Sequence, residues 1–135
     1  MRVILDTNVF VSGIFFGGPP GQILEAWRDG VIRPVLSTGI MDEYQRVGRL
    51  LRAESPTISL EPILALLAVH AELVETPALP EQVCADPDDD KFLACAIASG
   101  VTVIVSGDKH LVRQSGWRSV VVLSPRQFVD EYLPA

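Results

Sequence analysis

Histidine and cysteine are scarce in this chain, with two of each among 135 residues. Cys84 and Cys95 are too few and too irregularly spaced for a disulfide framework or a zinc site, so small buried thiols in a reducing compartment are expected. With His70 and His110 alone, a Ser-His-Asp arrangement lacks a suitable histidine. His70 falls late in an apolar helical stretch and is expected at its C-terminal turn or surface, and His110 in a solvated loop. A Gly-rich phosphate loop of the GxxxxGKS/T type does not occur. Apolar runs stay well short of the ~18–20 residues that cross a bilayer. The opening MRVILDTN places Asp6 where a secretory signal would keep its apolar stretch. These absences exclude zinc chemistry, triad hydrolysis and P-loop nucleotide binding, and they lead to the expectation of a cytoplasmic protein without membrane association.

What is present is an ordinary globular composition, 48% apolar and 21% charged, long enough for one core. The chain is expected to form a single domain over residues 1–135. Its formal charge of −6 argues against nucleic acid as a partner unless the carboxylates gather around cations, which would reverse the local field. Five short apolar runs alternate with helical patterns: Val3-Ile4-Leu5, Val35-Leu36, Leu73-Val74, Val101 to Val105 and Val120 to Leu123. Such alternation predicts a three-layer, doubly wound α/β fold, a parallel sheet of about five strands with helices on both faces. The spacing predicts helices from Pro19-Pro20-Gly21 to about Arg28, from Gly39 to Arg52 after a Ser37 or Thr38 cap, and from about Leu60 to Ala71. Two more are expected over Asp88 to Ser99, before Gly100, and after Ser124-Pro125.

The acids that face inward are the informative ones. Asp6 ends the first strand and Asp108 follows the fourth after Ser106 and Gly107. In open α/β sheets, ligands bind beyond the carboxyl ends of the strands. In the Gly39–Arg52 helix, Glu43 shares a stripe with Ile40, Val47 and Leu50, whereas Asp42 aligns with Arg46 and Arg49 as solvated ion pairs. The run Asp86-Pro87-Asp88-Asp89-Asp90 holds more acids than helix capping requires. There Asp89 is in phase with Phe92, Leu93 and Ala96, and Asp90 is the second inward candidate.

Four carboxylates meeting within roughly 5 Å would repel by about 3 kcal/mol per pair at an effective dielectric near 20. That is a serious load on a domain stabilised by ~5–15 kcal/mol. Either protons stay on or cations enter, and all-oxygen ligands select hard ions, Mg²⁺ or Mn²⁺. A site of that kind suits phosphodiester hydrolysis without a protein nucleophile.

The arrangement resembles a known family. Leu5-Asp6-Thr7-Asn8 is similar to the opening motif of PIN domains, and Asp42-Glu43-Tyr44 to that family's central Glu. Asp86 to Ala94 resembles its third acidic motif, with Asp89 eleven residues before Gly100 as in VapC-like members. Val105-Ser106-Gly107-Asp108-Lys109-His110-Leu111 resembles the last motif. The likeness runs from Met1 to about Leu133. It implies a Mg²⁺- or Mn²⁺-dependent endoribonuclease, and more narrowly the toxin of a toxin–antitoxin pair, with Asp6, Glu43, Asp89 and Asp108 as metal-holding catalytic acids. Asn8 and Ser106 would orient carboxylates or water, and Asp86 or Asp90 would share the ligand role. A homodimer and an antitoxin protein are the implied partners beside RNA. Arg46, Lys91 and Lys109 are the candidate substrate contacts, favouring single-stranded or loop RNA. Two alternatives accompany this reading: a catalytically silent PIN-like module acting through protein contacts, and an RNA-processing nuclease outside any toxin–antitoxin pair. A signalling receiver domain would need adjacent acids after strand one and a Lys after strand five, and the sequence has neither.

Overall fold

The computed structural model describes residues 1–133. The elements in chain order are β1 (Arg2–Leu5), α1 (Thr7–Phe15), α2 (Gly18–Arg28), β2 (Arg33–Leu36), α3 (Thr38–Glu54), α4 (Glu61–His70) and β3 (Glu72–Leu73). There follow a 3₁₀ turn (Pro87–Asp89), α5 (Asp90–Ser99), β4 (Val103–Val105), α6 (Lys109–Val112), a second 3₁₀ turn (Trp117–Ser119), β5 (Val121–Leu123) and α7 (Pro125–Tyr132). The five strands form one sheet in the order β3-β2-β1-β4-β5, and every pairing is parallel. Helices surround the sheet, as the alternation of strand and helix patterns predicts.

Burial on both sides explains the apolar strands. Val3, Ile4 and Leu5 are shut off from solvent, as are Val35, Leu36, Ile104 and Val105, which is the pattern of parallel strands covered on each face. The order of connection reverses at β1: the chain builds outward through β2 and β3, then returns to lay β4 and β5 on the other side. Such a reversal leaves a crevice beyond the strand ends. Asp6 and Asp108, which follow β1 and β4, flank it.

Local signals set most helix limits. Ser37 accepts the Ile40 N–H at 3.2 Å and so caps α3; Gly100 ends α5 at a φ of 77°, a conformation that favours glycine. Ser124 and Gln127 form a reciprocal capping box on α7. Several expectations need correction. The strand after Val101 begins at Val103, β5 at Val121, and β3 lies at Glu72–Leu73, one residue earlier than the apolar pair. Residues 87–89 form a 3₁₀ turn, so α5 starts at Asp90. Leu50 does not complete the α3 stripe: it is 63% exposed, and Gly48 is buried in its place. There a β-carbon would stand 3.0 Å from Leu60 Cδ2, so the missing side chain is what lets the following segment close over α3.

α1 follows β1 with no sequence signal of the kind that marks the others. Its N-cap, Asp6, makes no side-chain capping bond, and its residues are rich in Val and Phe. Tertiary packing carries it: Phe10 stacks on Tyr44 of α3 with ring centroids 4.3 Å apart and planes 8° from parallel. Among the described residues, no helix is long and apolar enough to cross a membrane.

Candidate metal centre

Asp6 is the hinge of the acidic edge. It leaves β1 with its N–H bonded to Val105 O at 2.9 Å, so the sheet pairing carries one residue past the strand and fixes its backbone. The side chain is 5% exposed. Ser106, fully buried, donates its hydroxyl to Asp6 Oδ2 at 2.6 Å and accepts the Asp108 N–H at 2.9 Å. One hydroxyl therefore ties the acid after β1 to the backbone of the acid after β4. Asp108 in turn caps α6, accepting the His110 N–H at 2.7 Å on Oδ1.

The charges of Asp6, Glu43, Asp89 and Asp108 are felt along this edge. Burial raises the Asp6 carboxyl above its usual range, and the charges of Asp108 and Glu43 raise it further against the Ser106 bond. Asp89 is pushed up to about 7, first by burial and then by Asp108, Asp6, Asp86 and Asp88. A carboxyl that protonates near neutrality beside other acids is under like-charge pressure. Asp89 Oδ2 is moreover closed to solvent and has no hydrogen-bond partner. An orphaned, buried carboxylate oxygen under the charge of neighbouring acids fits a hard divalent cation.

Glu43 reaches the edge from α3 with its side chain 12% exposed. Thr7, buried at the start of α1, donates its hydroxyl to Oε2, and Lys91 Nζ stands 2.7 Å from Oε1. Tyr44 donates its hydroxyl to Leu5 O, pinning α3 to the end of β1 one residue from Glu43. Both Glu43 oxygens are thus engaged. Separately, among the described residues no three carboxylate, imidazole or thiol groups converge tightly enough to enclose an ion.

The remaining candidates divide clearly. Both oxygens of Asp90 are taken by backbone, accepting from Val83 at 3.0 Å and Cys84 at 2.7 Å. Burial opposes its charge, but these bonds outweigh burial and hold the carboxyl below its usual range. Asp86, exposed, caps the 3₁₀ turn through the Asp88 N–H at 3.0 Å. Asn8 and Lys109 are exposed. Arg46 approaches Glu43 at 4.0 Å, which corrects the expected pairing with Asp42. Lys91 lies against Glu43 and, at 3.1 Å, Asp88. His110 has a buried Nδ1 without a partner, while His70 is exposed at the end of α4. Both cysteines are free and buried, and burial pushes each thiol up to about 12, so neither is a thiolate at neutral pH. A cavity of about 550 Å³ opens between Trp27, Ile32, Leu66 and Val69, and no acid lines it.

Sequence reasoning passed over Thr7 and Tyr44 as site residues. The signal for Thr7 was its place one residue after Asp6, where the turn into α1 aims it at α3. For Tyr44 it was a phenol on a buried stripe, which needs a hydrogen-bond partner.

Comparison with known proteins agrees with this geometry. Residues 2–110 match the model of the PIN domain. The chain is also 26% identical, over 147 aligned positions, to an uncharacterised protein of Methanocaldococcus jannaschii, with 98% of this chain and 92% of that protein covered. PIN domains are in general nucleases that use divalent metal ions and act on RNA. With the family model spanning β1 through the start of α6, this chain belongs to the PIN-domain family.

Proposed function

We propose that the chain is a divalent-metal-dependent endoribonuclease, a single nuclease domain whose ion is held by Asp6, Glu43, Asp89 and Asp108. The observation that carries the reading is the buried, unpartnered Asp89 oxygen, on a carboxyl that the charges of Asp108, Asp6, Asp86 and Asp88 raise further. Bound Mg²⁺ or Mn²⁺ would supply the positive charge against which a phosphodiester and an attacking water are ordered. Ser106 keeps Asp6 aimed and its spacing to Asp108 fixed. Thr7 orients Glu43. Asn8, in the same motif, would position water, and Asp86, whose charge reaches Asp89, would share its ligand role. Arg46 and Lys109 are cations that RNA phosphates could meet beside this edge, joined by Lys91 where its pairing with Glu43 and Asp88 is released. The spacing of the third motif, Asp89 eleven residues before Gly100 as in VapC-like members, favours the narrower reading of a toxin; that likeness implies a cytoplasmic homodimer silenced by an antitoxin protein.

The test is direct. Purified protein with end-labelled RNA and Mn²⁺ is expected to cut internally, and Asp6→Asn to slow cutting by about a hundredfold or more. Uncut RNA, or equal rates in the two proteins, would overturn the nuclease reading. Growth arrest on inducing the wild-type gene, absent with Asp6→Asn, is expected of a toxin; unimpaired growth with active enzyme would point to RNA processing instead.

A further inference from the structure

Of the four acids, Glu43 is the one already occupied by a counter-charge. Lys91 Nζ lies 2.7 Å from its Oε1 and 3.1 Å from Asp88 Oδ1, with the lysine side chain 23% exposed and that of Glu43 12%. Thr7 takes the other Glu43 oxygen. Arg46 also approaches, but at 4.0 Å and with its side chain 64% exposed, where water screens it. Leaving a half-buried carboxylate without a partner is costly, so Lys91 does for the metal-free chain part of what a metal ion would do. It also keeps Glu43 engaged. Its place in the first turn of α5, two residues after Asp89, means that a released ammonium stays beside the acidic edge.

We propose that Lys91 is a built-in competitor of the divalent ion: its ammonium holds Glu43 in the metal-free chain and is released when Glu43 joins Asp6, Asp89 and Asp108 around a hard cation. The inference rests on the metal-centre reading of the same acids. The two cations exclude each other at Glu43, and by linkage the coupling is reciprocal: what the ammonium does to metal affinity, the metal does to the ammonium. A lysine suits the role because its single point charge sits on a flexible stem, whereas a guanidinium would grip both carboxylate oxygens. The metal-free protein is stabilised, and a threshold is set on the ion concentration at which the site loads.

Two measurements on the full-length chain test this. In calorimetric Mn²⁺ titrations, Lys91→Gln is expected to bind at least about fivefold more tightly than wild type, and Arg46→Gln less than about twofold more tightly. In amine acylation read by mass spectrometry, saturating Mn²⁺ is expected to raise Lys91 labelling in the wild-type chain about threefold or more, with Lys109 little changed. Equal or weaker binding by Lys91→Gln, or an equal gain in Arg46→Gln, would overturn the proposal, the latter by reducing it to bulk charge. Should Lys91→Gln fail to fold, acylation of the wild type decides, and labelling indifferent to bound Mn²⁺ overturns it. Mn²⁺ binding to neither protein would bring down the metal-centre reading and this inference with it. Binding with Lys91 unmoved would sink this inference alone.

Discussion

At Asp89, the proposed metal centre would set protons and metal ions in competition for one carboxylate. Its folded-state value of about 7 lies above the ordinary 3.8, so between these limits the metal-free folded chain binds more protons than the unfolded one. The contribution of this group to stability is complete below 3.8 and is lost as pH rises through 7. Asp88 and Asp90 act in the opposite sense. Both are held below their usual range, Asp88 chiefly by the Lys91 hydrogen bond and Asp90, against the cost of its burial, by two backbone donors. Their stabilisation is present above the ordinary value and lost on acidification. Asp89→Asn in metal-free buffer is therefore expected to melt at or above the wild-type Tm near pH 7. The fall in Tm between pH 4 and 7 should also be shallower. The same variant should lose most of the rise in Tm that Mn²⁺ brings, while Asp42→Asn, at an exposed position, should keep it. Thermal melts of the three proteins with and without Mn²⁺ check both statements, and a matching response in the two variants would remove Asp89 from the site.

At the scale of elements, the acids are presented by joints that are themselves built of polar side chains. Asp90 holds the backbone of Val83 and Cys84 against the first turn of α5. Asp90→Ala leaves two amide donors without their carboxylate, and is expected to lower unfolding free energy by about 1–3 kcal/mol whether or not Mn²⁺ is present. Chemical denaturation distinguishes it from Asp89→Asn by that indifference to metal. Between α1 and α2 the joint is steric. A β-carbon on Gly13 would lie 2.7 Å from both Leu24 and the carbonyl oxygen of Pro20. Gly13→Ala should cost about 1–3 kcal/mol, and since α1 carries Thr7, it should also weaken metal binding. The sequence announced the strands because burial on both faces writes itself as continuous Val, Ile and Leu. Helical phase singled out Glu43, whose side chain is 12% exposed, and chose Asp89 although that residue lies in the 3₁₀ turn just before α5. The sequence was silent on α1, whose N-cap aspartate turns to Ser106 instead of capping, and on the Thr7–Glu43 and Tyr44–Leu5 contacts. Bonds between residues 36 and 39 positions apart leave no periodic trace in a single chain.

The whole molecule carries a formal charge of −6, and this sets how it meets a polyanion. Proteins that grip RNA through many lysines and arginines lose affinity steeply with salt, about 10³–10⁵-fold between 50 and 200 mM for six to ten phosphate contacts. Here the cations beside the site are few, and Lys91 is committed to Glu43 and Asp88. At fixed Mn²⁺, kcat/KM for RNA is expected to fall by less than about tenfold over that range, as KCl titration of the cleavage rate would show. A steep dependence would reveal a basic surface elsewhere.

The bond from Ser106 to Asp6 joins positions 100 residues apart, because β4 inserts beside β1 at the centre of the sheet. A ribosome must release most of the polypeptide before those two ends can meet, and contacts of such sequence separation form late in folding. A chain that stops short of β4 thus never brings Asp6 and Asp108 to one edge.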